Sequence, residues 1–146
     1  KVAKLTPDNI GVELNIGHCF LELNDYEQAL NAYFKVELLD SKGTKAWRPI
    51  AWTAFLQKKY DLAQKYYKQA LSDKPTIHDY LNAGHVELVV GKMKEAVELY
   101  KRAYYQDHDF ELFEMLFDAD KEILINYGVD ASIFPFMFDQ IKYGMD

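Results

Sequence analysis

A beat of thirty-odd residues constrains this chain more than any other feature of its sequence. Three alanines, Ala29, Ala63 and Ala96, stand 34 and 33 residues apart. Each has an apolar residue three places before it (Tyr26, Tyr60, Met93). A tyrosine follows four places after (Tyr33, Tyr67, Tyr100), and a small or branched residue seven places after (Val36, Ala70, Ala103). Twelve residues before each alanine is a second small residue, in the pairs Ile16-Gly17, Ile50-Ala51 and Ala83-Gly84. Offsets of three, four and seven trace one face of a helix. A period of this length marks helical hairpins set side by side. Small residues let two helices approach closely, and aromatics one turn further on fill the gap toward the next pair. One pair cannot bury its apolar faces alone, so the pairs must stack.

These residues resemble the tetratricopeptide repeat, whose pattern runs Trp-x2-Leu-Gly-x2-Tyr, then Ala-x3-Phe, then Pro. The likeness covers about Ile10 to Asp109. Its second copy is the clearest, with Trp47, Ile50, Ala51, Ala63, Tyr67, Ala70 and Pro75. The first has Ile16, Gly17, Phe20, Ala29 and Tyr33, with Ser41 in place of the closing proline. The third has Tyr80, Gly84, Ala96, Tyr100 and Ala103, with Glu87 and His108 at the aromatic and proline places. The resemblance implies an all-α fold, a right-handed α-α superhelix of stacked antiparallel helix pairs. On that reading residues 1–9 are the tail of a preceding segment and the start of the first helix. Residues 10–43, 44–76 and 77–109 are then three repeats, and 110–146 a pair of C-terminal capping helices.

Helix limits agree with this division. Thr6-Pro7 reads as a cap and first helical position, Asn24-Asp25 as a turn and cap, and Gly91 as a helix stop. Asp73-Lys74-Pro75-Thr76 closes another helix, because the residue before a proline is pushed out of the helical region. Pro49 either starts its helix late or distorts its first turn. Beyond Asp109 the beat fails. Phe110, Phe113, Phe117 and Leu124 share one helical face, which predicts a helix from about Asp109 to Asn126, stopped by Gly128. Asp130 or Ser132 then caps a last helix through Phe134, Met137, Phe138 and Ile141. A fourth repeat can be forced through Ala119 and Ala131, but it places Pro135 where a buried aromatic belongs. A cap over the open end of the stack fits better, since repeat arrays need one for solubility.

Composition narrows the function. The 146 residues are 49% hydrophobic and 27% charged, enough to bury a core. Net charge is −6, and it is uneven: 11 Lys+Arg against 9 Asp+Glu through Thr76, then 6 against 14. Nucleic-acid binders need clustered positive charge, so that partner class is excluded. No apolar run approaches the roughly 18–20 residues of a membrane span, so insertion is not expected. Cys19, the single cysteine, excludes an internal disulfide and reads as a small buried hydrophobe. The chain opens at Lys1 rather than Met and so reads as a processed or excised piece, which leaves its compartment open.

Catalytic and metal motifs are missing from the pattern. His78 and His85 are two helical turns apart, too far to share an ion, and His108 sits between Asp107 and Asp109 as in solvated turns. His18 beside Cys19 is no catalytic dyad, because adjacent helical residues point about 100° apart. There is no Gly-rich phosphate loop, Gly-x-Ser-x-Gly or His-Glu-x-x-His. The chain is therefore read as non-enzymatic, without cofactor or metal.

What remains is recognition of polypeptide. In the resembled fold the first helix of each pair lines a concave groove. Here that face carries Leu14, His18 and Leu21; Arg48, Trp52 and Phe55; and Leu81, His85 and Leu88, with Asn15 and Asn82 beside it. An apolar and aromatic stripe with few polar points suits an extended or helical peptide. The family's carboxylate clamp for chaperone tails maps onto Leu14, His18, Pro49, His78 and Asn82, and its cations are absent. The expected function is thus a protein–protein interaction module holding a partner segment in the groove. Two alternatives remain. One is a three-repeat chaperone of the bacterial type III secretion kind; the other is a structural segment of a longer repeat scaffold. Homo-oligomerisation is open.

Overall fold

The computed structural model describes residues 7–144, and among them there is no strand. The cap expected at Thr6 lies outside the described residues. The chain divides into two compact units, Lys1–Asp73 and Lys74–Asp146.

In the first unit, α1 (Pro7–Glu22) pairs with α2 (Tyr26–Leu39), and α3 (Thr44–Leu56) pairs with α4 (Tyr60–Leu71). The two hairpins join through packing of α2 on α3. The turns inside the hairpins are built alike. Asn24 and Lys58 take the left-handed conformation (φ 60° and 62°), and the next amide bonds back across the turn, Asp25 to Phe20 O at 2.9 Å and Lys59 to Ala54 O at 2.8 Å. This is the six-to-one closure of a helix end. Asp25 then caps α2, its carboxylate accepting from the Gln28 amide at 3.2 Å. The repeated small and aromatic residues are the core: Ala29, Tyr33, Val36, Ala51, Ala63, Tyr67 and Ala70 are buried.

Pro49 lies inside α3, which begins at Thr44 behind Gly43 (φ 74°) rather than at the proline. The missing amide deprives only the Lys45 carbonyl, and Lys45 is solvent-exposed, so water is at hand there.

In the second unit, α5 (Ile77–Val89) pairs with α6 (Met93–Tyr105). Thr76 and Asp79 form a reciprocal capping box at the start of α5, the Thr76 amide donating to Asp79 Oδ2 at 2.9 Å. Gly91 (φ 89°) ends α5 as Asn24 and Lys58 end α1 and α3, so the left-handed residues keep the 34 and 33 beat of the alanines. Then follow α7 (Phe110–Asp118), α8 (Lys121–Asn126), a 3-10 turn at Ala131–Ile133 and α9 (Phe134–Tyr143). The single helix expected from Asp109 to Asn126 is thus two, broken after Asp118. After its partner α5, the helix that packs most against α6 is α9. Phe117 sits fully buried at the middle, its ring centroid 5.2 Å from Tyr100, 5.0 Å from Phe138 and 5.4 Å from both His85 and Phe134. Edge-to-face contacts of this kind hold an aromatic core beyond its area burial.

Two glycines set the spacing within their hairpins. A methyl group on Gly17 would come within 2.4 Å of the Tyr33 ring, and one on Gly84 within 2.5 Å of the Tyr100 ring. Gly11, on the same helix as Gly17, has open space around it. Gly84→Ala is therefore expected to destabilise the chain by about 1–3 kcal/mol through overpacking. Gly11→Ala is expected to stabilise it by about 0.5–1 kcal/mol through helix propensity. Urea unfolding midpoints for the two variants check both signs.

Candidate functional site

Each tyrosine that crosses a glycine ends on the histidine beside it. In the first hairpin, His18 Nδ1 and the Tyr33 hydroxyl are 2.6 Å apart, with ring centroids at 5.5 Å. In the third, His85 Nδ1 and the Tyr100 hydroxyl are 2.8 Å apart, with centroids at 5.6 Å. The tyrosine rings are fully buried, and burial pushes the Tyr33 hydroxyl up to about 12 and raises that of Tyr100, so both keep their protons. The middle hairpin carries Ala51-Trp52 where these two carry Gly-His. An alanine at that place is incompatible with the same ring position, and the indole replaces the histidine on the face.

The outer sides of the two histidines differ. His85 is fully buried, and its Nε2 lies 2.9 Å from Asp120 Oδ2. Burial lowers its pKa below the usual 6.5, against the raising effect of the Asp120 carboxylate. The ring is neutral at pH 7. A carboxylate accepts only, so Nε2 carries the proton and donates to Asp120, and Nδ1 accepts from the Tyr100 hydroxyl. Asp120 stands at the cap position of α8, yet its side chain does not cap that helix; it is turned to His85 instead. The bond falls at the break between α7 and α8, which periodicity along one helix does not reveal. His18, at the equivalent place, is exposed.

The other residues of the expected groove fall into three groups. Phe55, Leu81 and Leu88 are buried with His85 in the cores of their units. Arg48 is engaged by its own unit, one guanidinium nitrogen donating to Ala70 O at 3.3 Å and Asp73 O at 2.9 Å at the end of α4. Leu14, Leu21 and Trp52 are half-buried on the first helices of the first unit, the indole 5.3 Å from the Phe55 ring, and Asn82 is half-buried on α5. Cys19, expected as a buried hydrophobe, is exposed and carries a free thiol, because its helix position faces away from Tyr33. Among the described residues no His, Cys, Asp and Glu are grouped to hold a metal. None of their helices is long and apolar enough to cross a membrane. Sequence reading missed Asp120; the Gly-His pair recurring at residues 17 and 84 was the available signal for the shared tyrosine contact.

The His85 network makes stability pH-dependent. The unfolded chain takes up a proton at the ordinary imidazole value, whereas the folded chain resists it. Stability is therefore complete above pH 6.5 and is lost as the pH falls below it, at up to about 1.4 kcal/mol per unit. Unfolding curves at about pH 7.5 and 5.5 should show the loss, and His85→Gln should reduce it by one proton's share. Asp120→Ala leaves a buried N–H without its acceptor and should cost about 1–3 kcal/mol at pH 7.

Residues 14–42 and 49–76 each match the family model of the tetratricopeptide repeat. No curated protein matches the chain. The two matched stretches coincide with the hairpins α1–α2 and α3–α4, whose paired helices, repeated turns and small-residue contacts are those the pattern requires. Residues 14–42 and 49–76 are thus two tetratricopeptide repeats.

Proposed function

We propose that this chain is a non-enzymatic interaction module that holds a segment of a protein partner against the first helices of its repeats. Tetratricopeptide repeats are protein–protein interaction modules, and that supports the general reading. We take α5–α6 as a third repeat over 77–109, in view of the Gly84, His85 and Tyr100 contacts, and 110–146 as its cap. In the first unit the binding surface comprises Leu14, His18, Leu21 and Trp52, the accessible members of the face. In the second it is reduced to Asn82 and its surroundings.

The observation that carries this reading is the contrast between the two histidines. In the third hairpin the outer nitrogen of the His–Tyr pair is met by a stretch of this same chain, through Asp120, with Phe117 against both rings. In the first hairpin the tyrosine is equally buried, but His18 itself is exposed. A place that accepts polypeptide in one repeat is available to it in another. Beside His18 in the repeat order stands Trp52, the kind of rigid aromatic anchor that dominates interface energetics.

One observation favours the scaffold reading as a second possibility. Val12 and Ile16 on α1 are 55% and 39% exposed, whereas their equivalents one repeat on, Ala46 and Ile50, are fully buried. With Leu38, 83% exposed, they form an apolar surface at which a further hairpin would pack.

Trp52→Ala is expected to weaken a partner segment by at least about 30-fold, with the circular dichroism spectrum and unfolding midpoint close to wild type. His18→Ala should weaken it less. Titration of both variants by isothermal calorimetry decides the matter; wild-type affinity in both contradicts the placement. His85→Ala does not serve here, because it removes a core residue.

A further inference from the structure

We propose that the aromatic cleft formed by α7, α8 and α9 is a second docking site, for a basic segment of a partner polypeptide. The cleft encloses about 790 Å³ and is walled by the rings of Phe110, Phe134, Phe138 and Tyr143. It is separate from the first-helix face and does not rest on that assignment.

Charge identifies the occupant. From Gln106 to the end of the sequence there are ten acidic residues and two lysines. Both lysines already lie on the rings. Lys121 Nζ is 5.6 Å from the Phe134 centroid and 5.3 Å from that of Phe138, and Lys142 Nζ is 5.1 Å from Phe110 and 5.3 Å from Tyr143. The chain's own ammonium groups thus mark these ring faces as cation sites, as expected from the negative potential over an aromatic face. Glu111, Glu114 and Asp139 line the same cleft and add carboxylates at its rim. Lys121 is further neutralised by Asp118 at 2.8 Å. With those faces held by the chain's own lysines, an incoming arginine or lysine meets the carboxylates of Glu111, Glu114 and Asp139, and its apolar neighbours meet the ring edges and Ile125. An acidic segment meets carboxylates of its own sign, and like-charge contact across an interface is costly.

The test uses the full chain and three fluorescent peptides of equal length, alternating leucine with arginine, glutamine or glutamate. Anisotropy titration should show binding of the arginine peptide only, weakened at least about tenfold at about 0.5 M salt. Glu111→Gln/Glu114→Gln/Asp139→Asn should weaken it by a similar factor, the circular dichroism spectrum confirming the fold. Trp52→Ala should leave it unchanged, which separates this site from the first-helix face. Amide shift changes on adding the arginine peptide to wild-type chain should centre on Phe110, Phe138 and Tyr143, and this readout needs no variant. Equal binding of the glutamine or glutamate peptide overturns the proposal. So does wild-type affinity in the triple variant, or shift changes confined to α1 and α3.

Discussion

The first and third hairpins depend on a tyrosine ring packed against a helix at a residue that has no side chain. Tyr33 crosses Gly17 and Tyr100 crosses Gly84 at distances no Cβ would allow. That approach brings two helices together, buries the largest residue of the motif and delivers its hydroxyl to the neighbouring first helix. Burying the hydroxyl without a partner is costly, and a histidine beside the glycine supplies one. Glycine, histidine and tyrosine therefore form a set. The middle hairpin, with Ala51, lacks both the space and the histidine, and places an indole on its face instead.

From that set the division between the units follows. In the second unit Asp120 and Phe117 turn the His–Tyr pair into the centre of an aromatic core, with Phe113, Phe134 and Phe138 around it. The pair becomes structural. In the first unit Tyr33 is as buried as Tyr100, but His18 stays at the surface, next in repeat order to a half-buried tryptophan. A single sequence motif is thus closed into the core of one unit, while in the other its histidine is left exposed. The difference lies in whether a carboxylate from the same chain reaches the outer nitrogen.

The beat of small and aromatic residues made the hairpins legible, because helix packing tolerates few residue types where two backbones approach. Turn chemistry was legible for the same local reason at Asn24-Asp25 and Gly91. Contacts across long sequence separation were not. His85 and Asp120 are 35 residues apart, and nothing in the periodicity of either helix announces their bond or the break after Asp118. Burial within the first-helix face was equally hidden: Phe55, Leu81 and Leu88 share the spacing of Leu14 and Leu21 and differ only in what packs over them. Pro49 misled because the cost of proline depends on whether the orphaned carbonyl is wet, which local sequence does not specify.

The most direct measurement is nitrogen-15 NMR of the imidazole rings near pH 7. The account predicts that His85 is the neutral tautomer protonated at Nε2, with that proton protected from solvent exchange by Asp120, while any ring proton of His18 exchanges rapidly. Exchange of both rings at the same rate, or a proton on His85 Nδ1, would contradict it.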